Sequence, residues 1–260
     1  MTVIAKHAPG TFCWAELATS NQAAATTFYT KLFGWTANES PMPDGTIYTM
    51  LEMGGGPVGA LYQQNPKMTP PGTPPFWLAY LAVENADQTA AKVKANGGQV
   101  MAPPFDVNDY GRMAMCADNL GAVFAIWQPG THPGIARAHE PGALSWVQLN
   151  AGDPGAAAMF YQAVFGWSHR RDPIPQGGEY VTWLAGGQPT GGGMPMPPGG
   201  HAPAHWMLYF GSADVDATSA KAQTLAGKTL VPPMDIPGTG RFAVIADPQG
   251  AVFAIVKFSM

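Results

Sequence analysis

Apolar and polar positions alternate in short runs along this chain, and each run is closed by glycine, proline, asparagine or aspartate. FCWAELAT (Phe12–Thr19) carries aromatics and alternation and predicts a strand. In the following NQAAATTFYTKLF, Ala24, Phe28, Tyr29 and Leu32 recur at helical spacing, and Gly34 stops the pattern. TIYTMLEM and PVGALYQ flank a Gly-rich turn and predict a pair of strands. PFWLAYLAV predicts another strand, followed by a helix over 87–95 that Gly97 and Gly98 close. GRMAMCA and GAVFAIW predict two last strands joined at DNLG.

The same order then returns. Trp14, Leu17, Phe28, Tyr29, Gly34 and Tyr48 recur 132 positions later, as Trp146, Leu149, Phe160, Tyr161, Gly166 and Tyr180. Trp77, Tyr80, Gly111 and Arg112 recur 129 positions later, as Trp206, Tyr209, Gly240 and Arg241. FYTKLFGW and FYQAVFGW are the clearest pair. The second helix is capped by Asp153 and opened by Pro154, and is expected over 156–165. The two later strands are joined at DPQG, whose Asp, Pro and Gly suit a type I turn. The period is too long for a solenoid, so this is one module duplicated. The expected boundaries are 8–128 for module 1, 129–141 for a Pro- and Gly-rich linker and 142–260 for module 2. Each module is large enough to bury a core.

Each module reads β-α-β-β-β twice over. One such unit makes a curved four-stranded sheet with a helix on its back and leaves an apolar concave face. Two pair into a cupped, incomplete barrel with helices outside, and a ligand can sit inside the cup. The expected class is therefore α+β, in two tandem βαβββ-type modules whose curved mixed sheets form cupped half-barrels.

Composition narrows the partners. A formal charge of −4 without a basic cluster argues against nucleic acid. The chain has no apolar run long enough for a membrane span and its start lacks a secretory pattern, which favours a cytoplasmic location. Charged residues make up 12%, about half the usual share. Cys13 and Cys116 do not match under the repeat and read as small buried hydrophobes.

The sequence strand, Asn or Asp, FY..LFGW, then a late DP.G strand pair, resembles the vicinal oxygen chelate superfamily. That group includes glyoxalase I, bleomycin-resistance proteins, fosfomycin-resistance enzymes and extradiol dioxygenases. More narrowly, the paired octapeptides resemble its two-module, glyoxalase-like or hydroxylase-like members, with the mycobacterial antigen type nearest in pattern. The resemblance implies a divalent metal held by His, Gln or Glu at three places. Here these places hold Trp14, Leu78 and Ala125 in module 1, and Trp146, Met207 and Ala254 in module 2. None offers the donors such metals need, so no metal or other cofactor is expected, apart from a divalent ion at an unorthodox site.

The chemistry left in the cups rests on a few residues. Trp14, Glu16 and Ala18 share one strand face, and Trp146, Gln148 and Asn150 match them. Tyr48, Trp77, Trp206, Arg112 and Arg241 complete the candidate ligand-binding set. Glu16 and His205 are the candidate catalytic groups. A carboxyl in an apolar cup has its pKa raised unless an arginine pairs with it, and Arg112 and Arg241 are either that pair or structural caps. The expected function is binding of an apolar or aromatic small molecule. The alternatives are an enzyme of the glyoxalase or hydroxylase type acting on a small carbonyl compound, or an interaction protein with a vestigial cup. The expected state is a monomer or homodimer.

Overall fold

The structure, a computed structural model, describes residues 3–42, 45–66, 69–174, 177–196 and 202–259. Module 1 runs β1 (Phe12–Thr19), α1 (Gln22–Phe33), β2 (Thr36–Pro41), β3 (Ile47–Met53) and β4 (Gly56–Gln63). It continues with β5 (Phe76–Ala82), α2 (Ala86–Ala95), β6 (Gln99–Val107), β7 (Gly111–Ala117) and β8 (Val123–Pro129). These strands form one mixed sheet in the order β2-β3-β4-β1-β5-β8-β7-β6. Module 2 repeats it with β9 (Leu144–Ala151), α3 (Ala158–Phe165), β10 (Ser168–Pro173), β11 (Glu179–Ala185) and β12 (Gln188–Pro195). Then come β13 (His205–Gly211), α4 (Val215–Thr224), β14 (Lys228–Ile236), β15 (Gly240–Ala246) and β16 (Val252–Phe258). Its order is β10-β11-β12-β9-β13-β16-β15-β14. The βαβββ unit is thus present four times, and the fold is the expected α+β pair of curved mixed sheets.

The apolar pattern did not announce the four outer strands. β2 (TANESP) and β10 (SHRRDP) are polar and exposed at sheet edges. β6 and β14 alternate but carry Pro103–Pro104 and Pro232–Pro233, which only an edge strand tolerates. The helices begin where their caps sit. The Asn21 side chain accepts from Ala24 N, and Asp153 accepts from Gly155 N. The proline after Asp153 opens a 3₁₀ turn (Pro154–Ala157), so the α-helix expected from 156 starts at Ala158. Gly34 and Gly166 close α1 and α3 in the left-handed region, at φ 74° and 71°.

The repeated octapeptides turn out to be the seam between the modules. Tyr29 on α1 donates to Asp247 Oδ2 at 3.0 Å, and Tyr161 on α3 donates to Asp118 Oδ2 at 2.6 Å. Phe28 packs on Phe253, and Phe160 on Phe124. Trp35 Nε1 donates to Gly142 O, and Trp167 Nε1 to Gly10 O, each at 2.8 Å. Each helix therefore covers its own sheet and locks into the other module. The core runs unbroken across the seam, with Trp77 against Phe210 and Phe12 against Trp206.

The segment read as a linker lies packed on module 1. Ile135 and Ala136 are buried, Ile135 N donates to Cys13 O, and Ala136 N donates to Pro57 O. Both cysteines are free and buried, and burial raises both thiols, Cys116 to about 12. Among the described residues no helix is long and apolar enough to cross a membrane.

Candidate functional site

With helices and the other module covering one face of each sheet, the opposite, concave face carries the candidate chemistry. Strand period sorts the residues. Glu16 on β1 lies opposite Leu78 on β5, and Trp14 opposite Tyr80. On the far side of β1, Ala60 and Tyr62 of β4 line up with Glu16 and Ala18, and Tyr48 of β3 lies opposite Tyr62.

In module 1 these side chains converge on one carboxyl. Tyr48 donates to Glu16 Oε1 at 2.6 Å and Tyr80 to Glu16 Oε2 at 2.5 Å. The Trp14 indole lies beside the Tyr48 hydroxyl and partly offsets the rise that burial and Glu16 cause there. Glu16 keeps 9% of its surface. Burial pushes its carboxyl up, and the two phenol hydrogen bonds only partly oppose this. Burial and the adjacent Glu16 also push up Tyr48, Tyr62 and Tyr80. Half-buried Met50, Met113 and Met115 stand on the same face by register. The Trp14 ring meets His132 edge-on at 4.6 Å, so the packed segment after β8 forms one wall. This arrangement offers a hydroxyl- and carboxyl-bearing floor inside an aromatic and thioether surface. It can hydrogen-bond a carbonyl or hydroxyl and can give or take a proton.

Module 2 has the same floor with an amide in place of the acid. Trp146 Nε1 donates to the Tyr180 hydroxyl at 2.8 Å, and Tyr180 donates to Gln148 Oε1 at 3.3 Å. Gln148 Nε2 donates to Asn150 Oδ1 at 2.8 Å, and Asn150 Nδ2 lies 3.2 Å from His205 Nε2. Beyond them, Tyr209, Val244, Ala254 and Val256 pack as a cluster apart from the main core, with Trp146, Met207, Val231 and Phe242 around it.

Four of the candidate residues stand elsewhere. Trp77 and Trp206 follow the other phase of their strands and lie behind the sheets, where they donate to the Tyr29 and Tyr161 hydroxyls at 3.0 and 3.1 Å. Being one residue out of register with Leu78 and Met207 puts them on the seam side. Arg112 does not approach Glu16. It grips Asp87 with Nε and Nη2 (2.8 and 3.0 Å) and Asp106 with Nη1 (2.9 Å). Arg241 repeats this with Asp216 and Asp235. Both arginines tie the first turn of a helix to the outer hairpin, and they hold Asp87 and Asp216 below the usual carboxylate range. The contact Glu16 does make, with Tyr80, was foreshadowed in the sequence by Tyr80 recurring as Tyr209 at strand spacing.

The superfamily's metal does not fit this donor set. Trp14, Leu78 and Ala125 do come together, since Trp14 and Ala125 both pair with Tyr80 and Leu78 pairs with Glu16. They present an indole, an isobutyl and a methyl group. Both oxygens of Glu16 already serve phenols. Trp146, Met207 and Ala254 are no better suited to a hard cation. Among the described residues no three His, Cys, Asp or Glu side chains group as a metal site.

The family model for the Glyoxalase/Bleomycin resistance protein/Dioxygenase superfamily matches residues 11–126 and 143–255. CFP32 of Mycobacterium bovis, provisionally named a glyoxylase, is 42% identical over 253 residues, covering 97% of this chain and 96% of that protein. The anthracycline biosynthesis protein DnrV of Streptomyces peucetius is 35% identical over 265 residues, covering 97% and 94%. Among solved structures, the Mn(II)-bound glyoxalase from Novosphingobium aromaticivorans superposes with a TM-score of 0.64 at 16% identity, covering 95% of this chain and 82% of that one. The 2,2',3-trihydroxybiphenyl 1,2-dioxygenase of Sphingomonas wittichii gives 0.65 at 12% identity, covering 97% and 92%. At these identities the two structures establish a shared fold.

Proposed function

Because this chain belongs to the Glyoxalase/Bleomycin resistance protein/Dioxygenase superfamily, we propose that it binds a small molecule in the cup of module 1 without the superfamily's usual metal. The ligand is a flat apolar or aromatic metabolite. Its carbonyl or hydroxyl group meets the Glu16–Tyr48–Tyr80 floor, and its body lies against Trp14 and the methionines. One observation carries this reading. A buried carboxyl clasped by two phenols stands beside the three positions where sister proteins ligate an ion, and those positions here are apolar. The name of DnrV, an anthracycline biosynthesis protein, supports a fused-ring ligand.

A second reading makes module 1 an enzyme of the glyoxalase or hydroxylase type, with Glu16 moving a proton at a carbon next to a carbonyl. The name of CFP32 favours it, as does the way burial raises the pKa of Glu16 and so strengthens it as a base.

The test of binding uses 1,4-dihydroxyanthraquinone and quenching of tryptophan fluorescence. Replacing Tyr48 and Tyr80 together by Phe should weaken binding about tenfold or more, since two hydrogen bonds are lost. Equal affinity in the folded double variant would refute the site. The catalytic reading requires turnover of methylglyoxal with a thiol, abolished by Glu16→Gln.

A further inference from the structure

The floor of module 2 differs from that of module 1 in a way that has consequences of its own. Gln148 replaces Glu16, while Asn150 and His205 stand where Ala18 and Phe76 stand in module 1. The result is an unbroken file of hydrogen bonds from Trp146 through Tyr180, Gln148 and Asn150 to His205, whose Nδ1 is 2.9 Å from Pro203 O. Gly192 makes room for it, since a Cβ there would collide with the Tyr180 hydroxyl and crowd Trp146 Nε1. The Gln148 amide also lies beside the Tyr209 hydroxyl and partly offsets the rise that burial causes there.

Chemistry fixes only the two ends of this file. An indole N–H can only donate. A neutral imidazole that donates Nδ1–H to Pro203 O can only accept at Nε2. Every link between them must then point from Trp146 towards His205, with the second Gln148 N–H turned towards Tyr209 and the Tyr209 O–H left free. A proton on Nε2 turns that end into a donor. Asn150 must then present Oδ1 to the ring and Nδ2 to Gln148. Gln148 turns in the same sense, offering Nε2 to Tyr180 and Oε1 to Asn150 and Tyr209. The Tyr180 oxygen now faces two donors, so its own O–H must leave the file. The free hydroxyl has passed from Tyr209 on β13 to Tyr180 on β11.

We propose that the concave face of module 2 is a second binding site, for a flat ligand bearing a carbonyl, and that one proton on His205 decides which tyrosine receives that carbonyl. The proton comes from solvent and forms only the Nε2–H bond of His205; every other change is an exchange of hydrogen bonds. Few other groups compete for this role. Asn150 on β9 faces His205 across the sheet, Met207 follows it on β13, and Pro203 O holds its far nitrogen. Tyr180 and Tyr209 are held neutral by burial, Tyr180 being pushed up to about 12. Among the described residues, the charged side chains on the same face by register are Arg170 and Asp172 on β10, four strands away in the sheet order, and Lys228 on β14, three strands away. Coupling of this kind is reciprocal, so a ligand seated on Tyr180 draws the proton onto His205.

The experiment uses full-length protein carrying Tyr48→Phe and Tyr80→Phe, which removes the module 1 contacts and separates this site from the function proposed above. The probes are 2-acetylnaphthalene and, as a control of like shape without an acceptor, 2-ethylnaphthalene. They are titrated at about pH 5.5 and about pH 8. Adding Tyr180→Phe should weaken the ketone about fivefold at the lower pH only, and adding Tyr209→Phe should do so at the higher pH only. In His205→Phe protein, which carries the residue module 1 uses at this place, neither effect should change with pH. The file itself is read without ligand, from the Trp146 indole ¹⁵N–H resonance, which should move as His205 titrates. A fixed Trp146 resonance while the His205 ring signals titrate would overturn the proposal. So would equal losses at both pH values, or no preference for the ketone.

Discussion

The Tyr29 hydroxyl lies 3.0 Å from Asp247 Oδ2, although 218 residues separate the two in the chain. Tyr161 and Asp118 repeat the contact at 2.6 Å in the opposite sense. Each hydroxyl also accepts an indole N–H, from Trp77 and Trp206. The carboxylates belong to the turns read as DNLG and DPQG, where their other oxygens bind turn amides such as Ala122 N and Ala251 N. One duplicated set of four residues, Phe-Tyr on a helix, Trp on a strand and Asp in a turn, therefore welds the halves together twice.

Tyr29→Phe keeps the ring stack but strands a buried carboxyl and a buried indole N–H. It should cost about 2–3 kcal/mol in urea unfolding, since orphaned buried partners are more costly than the bond itself. Asp247→Asn combined with Tyr29→Phe should cost less than the sum of the two single changes. Strict additivity would mean that the contact contributes nothing.

Stability should also fall as pH rises through a window set by buried acids. Burial raises Glu16, Asp118 and Asp247 despite their hydrogen bonds. A raised carboxyl binds its proton more tightly folded than unfolded, so its contribution is complete below the unfolded pKa. That contribution fades as pH climbs from the ordinary carboxylate range through the folded value. Surface pairs such as Asp87 with Arg112 act with the opposite sign. A variant isolates one group. Glu16→Gln copies what module 2 carries at Gln148, and should flatten this decline and leave the protein on the order of 1 kcal/mol more stable than wild type at about pH 8. Denaturant melts at about pH 5 and pH 8 decide it, and an unchanged difference between the two would count against a Glu16 whose pKa burial raises.

The sequence made the duplication and the shared strand face of Glu16 and Trp14 readable because each rests on spacing, whereas the outer strand of each βαβββ unit left no such pattern. Period two puts Trp14, Glu16 and Ala18 on one face whatever the tertiary packing. The same rule misled at Trp77 and Trp206. A strand buried on both faces can be apolar throughout, as β5 is, so alternation does not say which phase faces the cup. Their neighbours Leu78 and Tyr80 carried the answer, being in phase with the ligand positions. The sequence left Arg112 as either a partner for Glu16 or a structural cap. The competing carboxylates, Asp87 and Asp106, sit 25 and 6 residues away and meet it only after the sheet forms.

Arg112→Ala and Arg241→Ala follow from that correction. Each should lower the melting temperature slightly, less in high salt than in low salt, because the pairs are solvent-exposed and screened. Binding of 1,4-dihydroxyanthraquinone should be unaltered. A loss of affinity at unchanged fold would return the arginine to the site.

The last prediction concerns metal. Ions such as Mn²⁺, Zn²⁺ and Ni²⁺ stabilise a protein that binds them in the native state, by an amount that grows with concentration. Trp14, Leu78 and Ala125 offer no ligand atoms, and Glu16 would have to give up two phenols and its burial to become one. Millimolar Mn²⁺, Zn²⁺ or Ni²⁺ should therefore leave the melting temperature of purified protein unchanged, and a chelator should leave anthraquinone binding unchanged. Trp14, Tyr80 and Ala125 are neighbours across three strands, which leaves positions 14, 78 and 125 close together. Substituting His at 14 and 78 with Glu at 125 should then create a metal-dependent rise in melting temperature where the parent shows none. A rise in the parent protein would overturn the reading of this cup as a site that works without an ion.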